Sequence, residues 1–223
     1  VRKRDQAVTK VNLNKCGQTL GTKGLKTRDS ILKATSELLE KSKGLIPAVA
    51  TIADRAGVSA ATFYVYFSDV GDAVYCLLDD MQPDIEPLLS ALHQPWANSN
   101  AYERTLAFVA AYFEFWSTHV ALLRARETFA EAGHLSFKNQ RRRTIEKIMT
   151  ALSKKLPTEQ LSGADPHDLA GVLLTALERL AAVVTLGLYP GLRADHEKYV
   201  RAVSYVIYAS IAGPRARVIA KRA

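Results

Sequence analysis

Apolar positions along this chain recur at three- and four-residue intervals almost throughout, the spacing of a helix with one buried face. Ile31, Ala34, Leu38 and Leu39 mark a first helix near Lys26–Lys43, ended by Gly44. Val49, Ile52, Ala53 and Ala56 mark a short second helix, and Phe63 and Phe67, four apart, a third. A fourth runs from about Gly71 to Ser90, where Pro83 and Pro87 should break or kink it, because each lacks an amide and clashes with the preceding turn. Beyond a loop at His93–Asn100, helices are predicted over Ala101–Thr118, Val120–Ala132, Ser136–Leu156, Pro166–Leu188 and Asp195–Ala212. Gly133, Pro157, Tyr189-Pro190-Gly191 and Gly213-Pro214 supply the stops. No repeat and no strand alternation stands out. The expected fold is all-α with about nine helices, a small N-terminal three-helix domain and a larger bundle. The boundaries read as a flexible arm over 1–24, a small domain over 25–70, a large one over 71–213 and a tail over 214–223.

The second and third helices carry the sharpest signal. Gly57 follows Ala56 at once, where a helix end favours left-handed backbone angles. Val58 plugs the turn, and Ser59 is a good N-cap, its hydroxyl accepting an orphan amide. Phe63 and Phe67 can face the core, which leaves Thr62, Tyr64 and Tyr66 on other faces. This is the grammar of a helix-turn-helix, whose second helix enters the major groove of DNA.

Ile52-Ala53, Ala56-Gly57-Val58-Ser59, Thr62-Phe63-Tyr64 and Tyr66-Phe67 together resemble the DNA-binding motif of the TetR family of bacterial repressors. The match is long and ungapped, and with the flanking helices it spans roughly residues 26–80. The resemblance implies a ligand-binding and dimerisation domain after the motif. Two positions depart from the family pattern. Val70 stands where a phosphate-holding lysine is usual, and Ala61 replaces a frequent glycine. The missing lysine weakens the expected phosphate grip without touching the base-reading face.

Charge sharpens this picture. The net charge is +8, and residues 1–30 hold eight cations against two carboxylates. Arg215, Arg217, Lys221 and Arg222 add four more, so the body between is close to neutral. Arg55 is the only cation of the helix-turn-helix. A basic arm beside such a motif suggests phosphate or minor-groove contact, against the plainer reading of a solubilising tail. Cys16 and Cys76 lie far apart without metal spacing and read as free thiols of a cytoplasmic protein. No apolar run is expected to reach the length of a membrane span, and no signal-peptide pattern opens the chain.

The last two long helices carry more apolar surface than one stripe: Leu173, Ala176, Leu177, Leu180 and Val184 on one, Val200, Val203, Val206 and Ile207 on the other. The residues alone leave a monomer core and a subunit interface equally open. The resemblance implies a homodimer through these helices, and two-fold symmetry then implies a pseudo-palindromic operator.

Phe108, Tyr112, Phe115 and His119 fall on one continuous helical face, with Trp116 beside it. An aromatic stripe at helical spacing is more often core than pocket, but TetR-like proteins bind small molecules in this domain. The candidate ligand-binding set is Phe108, Tyr112, Phe115, Trp116, His119, Arg126, Phe129, Met149, Leu173, Leu177 and Glu178. The aromatic wealth with Leu177-Glu178-Arg179 resembles the EthR-like branch, whose pocket is long and hydrophobic. Arg141-Arg142-Arg143 cannot all line one site, since consecutive helical side chains point about 100° apart. Glu178 with Arg179 and Glu127 with Arg126 read as structural ion pairs. The five histidines are scattered, and no catalytic triad, phosphate loop, metal site or cofactor motif is recognisable.

The expected protein is a ligand-responsive, homodimeric DNA-binding repressor released from its operator by an apolar small molecule. The DNA-binding set is Lys26, Arg28, Thr51, Ser59, Ala60, Ala61, Thr62, Tyr64 and Tyr66. A helical enzyme using the aromatic pocket, with His119 or Glu178 as base, is the alternative from another class. A DNA-binding protein without effector is the other.

Overall fold

Helix ends in the computed structural model, which describes residues 19–157, 163–187 and 196–213, follow the capping chemistry of the chain. The α-helices are α1 Thr22–Lys41, α2 Val49–Ala56, α3 Ala60–Tyr66, α4 Val70–Asp80, α5 Glu86–His93, α6 Ala101–Glu131, α7 Leu135–Ser153, α8 Pro166–Leu186 and α9 His196–Ala212. The described residues contain these nine helices, one turn of 3₁₀ helix at Gln82–Ile85 and no strand. The residues of the predicted arm before Thr19 and of the predicted tail after Gly213 lie outside the described residues.

Three helices differ from the pattern-based expectation, each for a local reason. Helix α1 begins at Thr22, four residues early, with Gly21 as its cap, so Lys23 and Lys26 ride on its first turns. The stretch after Asp80 tightens into the 3₁₀ turn at Pro83 and resumes as α5 with Pro87 near its start, where a missing amide costs nothing. The two predicted helices on either side of His119 are one helix of 31 residues. Nothing at His119-Val120 interrupts its hydrogen bonds, and it ends only where Gly133 adopts φ +97°. At the other end of the chain, Asp165 caps α8 by accepting from the His167 amide at 2.6 Å, and Gly187 closes it in the left-handed region.

The chain divides into two compact units, residues 19–80 with Ala121–His134, and residues 81–120 with 135–213. Helix α6 contributes its first part to the second unit and its last turns to the first. In the first unit α1 packs on α2 and α4, around Ile31, Leu39, Ile52, Phe63, Phe67, Val74 and Leu78, all essentially solvent-free. In the second, α7 packs on α5 and α8, and α8 on α9, around Leu88, Leu92, Phe108, Phe113, Leu152, Leu177 and Ile207. Tyr102 stacks edge-on against Tyr208 with ring centres 5.6 Å apart, joining the start of α6 to α9.

Helices α6 and α8 are long and apolar enough to cross a membrane by length and composition, contrary to the expectation that no run would be. Their apolarity has another use here. Phe108, Val109, Tyr112, Phe113 and Trp116 of α6, and Leu173, Leu174, Leu177 and Ala181 of α8, are buried within the second unit.

Candidate functional site

The α2–α3 turn is built by the chain's own backbone. Gly57 sits at φ +69°, the Val58 amide donates to Ala53 O at 2.9 Å and the Gly57 amide to Asp54 O at 3.1 Å. These paired bonds close α2, and glycine is the residue that reaches this geometry without strain. Ser59 Oγ then accepts from the Thr62 amide at 3.1 Å and lies 2.9 Å from Thr62 Oγ1. The Ser59 side chain thus starts α3, and one of the two hydroxyl protons stays available to donate elsewhere.

Phe63 and Phe67 anchor α3, fully buried with ring centres 5.6 Å apart. The opposite side is presented to solvent: Ala60, Ala61, Tyr64 and Val65, with Tyr64 45% and Val65 48% exposed. Tyr64 leans edge-on against Phe63, which fixes the direction of its hydroxyl. Thr51 on α2 and Lys26 on α1 are also exposed, and Tyr66 is half-buried. Val65 is absent from the expected set. Its signal was present, since a residue two from Phe63 and two from Phe67 must face away from both.

Two cations near the turn have protein partners. Arg28 is buried at 7% exposure, donates from Nη2 to Cys76 Sγ at 3.3 Å and lies over the Phe67 ring. Its guanidinium braces the end of α3 from within the first unit. Arg55 is exposed but held by Glu37, Nε to Oε2 at 2.8 Å. Downstream, Val70 is buried, and Asp69 and Asp72 form a reciprocal cap on α4: the Asp72 amide donates to Asp69 Oδ1 at 2.9 Å and the Ser68 amide to Asp72 Oδ2 at 3.0 Å. Two exposed carboxylates at this helix start oppose a phosphate there.

The expected ligand residues divide between the two units. Arg126 and Phe129 lie in the first, where Arg126 Nη2 meets Glu127 Oε1 at 2.7 Å and Phe129 reaches Gly71 and the His134 ring. The continuity of α6 puts them there, since Arg126 is two helical turns beyond His119. In the second unit, Phe108, Tyr112 and Trp116 are buried along α6, as are Leu173, Leu177 and Glu178 along α8. Phe115 is half-buried against the His119 ring, centres 5.0 Å apart. His119 Nε2 lies 3.1 Å from Asp84 Oδ2; burial lowers its pKa and Asp84 pulls it back up. Met149 is half-buried and lines an open groove of about 540 Å³ with Asp168, Gly171, Val172, Thr175, Ala176 and Arg179. Glu178 pairs with Arg141, Oε2 to Nη2 at 2.5 Å, and not with its neighbour Arg179, which points to solvent. Arg142 and Arg143 are exposed.

Large apolar side chains of α8 and α9 are left uncovered in the single subunit. Val172 is 65%, Tyr205 46% and Val206 53% exposed, while Val203 and Ile207 are buried within the unit.

Residues 89–217 match the model of the tetracyclin repressor-like, C-terminal domain, a family defined on the very bundle that follows the helix-turn-helix. The chain belongs to the TetR family. Solved structures with this TetR fold include the fatty acid degradation regulator FadR from Bacillus halodurans, with a TM-score of 0.59 and 16% identity over 89% of this chain and 99% of that one. A TetR family transcription regulator from Marinobacter aquaeolei VT8 superposes with a TM-score of 0.58 and 15% identity, covering 83% and 95%. A regulator of the TetR/AcrR family from Thermobifida fusca YX-ER1 gives 0.54 and 18%, covering 81% and 96%. No curated protein sequence matches the chain significantly.

TetR-family proteins are DNA-binding transcription regulators that respond to small molecules and act as dimers, and this chain is such a regulator. Membership in the family also answers the alternative of a helical enzyme.

Proposed function

We propose that this TetR-family protein is a repressor that reads a pseudo-palindromic operator with the face Ala60, Ala61, Tyr64 and Val65 and leaves it when an effector binds the second unit. The observation that carries the DNA half is that exposed, largely uncharged face on a helix anchored from behind by Phe63 and Phe67. Small and apolar side chains let the helix approach base edges, while the Tyr64 hydroxyl supplies a donor and acceptor. Thr51, Tyr66 and Lys26 contact phosphates; Ser59 and Thr62 keep the turn in shape.

Phosphate attraction usually dominates non-specific affinity, yet Arg28 is buried, Arg55 is paired and Val70 replaces the usual lysine. Arg2, Lys3, Arg4, Lys10 and Lys15, outside the described residues, together with Lys23 and Lys26, are the cations next to the motif in sequence that supply that charge.

Dimerisation uses the uncovered face of α8 and α9, with Val172, Tyr205 and Val206 at its centre. The effector has an apolar body that suits the aromatic residues Phe108, Tyr112 and Trp116. One structural neighbour is a regulator of fatty acid degradation, so acyl chains stand first among bodies to try. Effector binding works as a switch only if the DNA-competent and DNA-free states differ in affinity for it. The test is a gel-shift titration on the DNA upstream of the gene. A single palindrome protected by the wild type, and released by an effector found in a thermal-shift screen, supports the reading. Binding that ignores sequence removes it.

A further inference from the structure

The second unit buries five polar or charged side chains among its described residues, and four of them are accounted for. Thr105 donates to Ala101 O at 2.7 Å, Thr144 to Gln140 O at 3.2 Å and Ser204 to Val200 O at 2.6 Å, each back onto its own helix. Glu178 accepts from Arg141. Gln140 is the exception: it is 1% exposed, and neither its amide nitrogen nor its amide oxygen has a hydrogen-bond partner.

A buried carboxamide left this way is costly, and the chain had a cheaper option. Gln140 lies on the buried face of α7 with Phe137, Thr144 and Ile148. A leucine or methionine of similar volume fits such a face without a polar debt. A polar group unmatched by protein in a core invites a partner from outside the chain, a water, an ion or a ligand.

We propose that the Gln140 carboxamide is the specificity-determining anchor of the effector, and that the effector carries a neutral head with a donor beside an acceptor, of the amide or lactam class, on an apolar body. This rests on the reading that the second unit binds the effector, and it adds the head group to that reading. A carboxamide offers one donor edge and one acceptor edge, so the complementary head offers both in return. The charge of the next residue, Arg141, is balanced by Glu178, Nη2 to Oε2 at 2.5 Å. A head with an acceptor alone leaves one amide atom orphaned, and sites that hydrogen-bond a ligand group discriminate strongly against analogues lacking it.

The experiment uses the full chain, Gln140→Met and Gln140→Leu, with octanamide, methyl octanoate and octanoate as probes of one chain length. Without ligand, each variant melts higher than wild type, by roughly 2–4 °C for a removed polar penalty of about the usual size. In wild type, octanamide binds on the order of tenfold tighter than the other two, and Gln140→Met levels the three. Variants no more stable than wild type mean that water or protein satisfies the amide, and the proposal falls. Equal binding of all three probes to wild type also overturns it, while leaving an effector site in the second unit standing. If none of the three binds or releases DNA, the effector reading falls and this inference with it.

Discussion

The guanidinium carbon of Arg28 lies 5.5 Å from the centre of the Phe67 ring. This places a cation of α1 on the last anchor of the recognition helix, and the same guanidinium donates to Cys76 on α4. One buried side chain thus ties α1, α3 and α4 together.

Arg28→Ala should therefore lower the stability of the protein by about 1–2 kcal/mol, the size of a partly desolvated cation–π contact plus lost packing. The salt dependence of DNA binding should stay unchanged. Lysine should not rescue the loss, because it lacks the planar group that covers the ring. Urea denaturation and a salt titration on the same variants separate this from a phosphate contact, which would reduce the log–log slope by about 0.9 per phosphate.

Tyr64→Ala should weaken operator binding by roughly 1–3 kcal/mol, the range for a good groove contact, with little effect on stability. Val65→Ser should relax the preference at one base pair and leave the others alone. Binding to a panel of single-base operator variants measures both. Normal operator affinity of Tyr64→Ala would place the reading face elsewhere.

Adjacent residues of α9 should behave oppositely. Val206→Asp adds a charge at a site 53% exposed in the single subunit, so it should split the dimer and leave the subunit folded. Ile207→Asp puts an unpaired charge in a solvent-free site and should unfold the second unit, at a cost of several kcal/mol by order of magnitude. Sedimentation and circular dichroism distinguish the outcomes. A Val206→Asp protein that remains dimeric moves the seam away from this face.

Deleting residues 1–18 leaves α1 whole, since that helix begins at Thr22. If two or three arm cations contact phosphate in each subunit, the log–log salt slope should fall by roughly 4–5 units at about 0.9 per phosphate. Sequence preference should survive. An unchanged slope makes the arm passive. Val70→Lys is a poor substitute for it, because Val70 is 8% exposed and a lysine there would strain the α4 packing.

His119 gives the pH dependence a sign. Burial lowers its pKa below the ordinary 6.5, with Asp84 opposing, so the unfolded chain takes up this proton at a higher pH than the folded protein does. The neutral ring's contribution is whole above the unfolded value and is lost as pH falls from there toward the folded one. Denaturation at pH 7.5 and 5.5 should show a larger loss for wild type than for His119→Asn. Equal losses would mean that the buried ring does not sense acidification.

The turn of the helix-turn-helix was legible residue by residue because the interactions that close α2 and open α3 are local. Gly57 closes α2 through bonds to Ala53 and Asp54, Ser59 opens α3 through Thr62, and Phe63 meets Phe67 one turn away. Helical spacing likewise revealed which faces are apolar. What spacing cannot reveal is the partner on the other side of a face. Arg28 and Cys76 are 48 positions apart, so only packing could turn an expected phosphate ligand into a buried brace. Glu178 has cations at Arg179 beside it and at Arg141 far along the chain, and the meeting of α7 with α8 chose the distant one. The absence of a breaker at His119 joined two expected helices and placed Arg126 in the first unit. Val203 and Val206 are the same residue type three positions apart, yet one is core and the other open surface, because burial depends on where α8 crosses α9. The sequence by itself determined the local helices and the turn between α2 and α3; only tertiary contacts decided which charges are balanced and which apolar residues of α8 and α9 stay exposed.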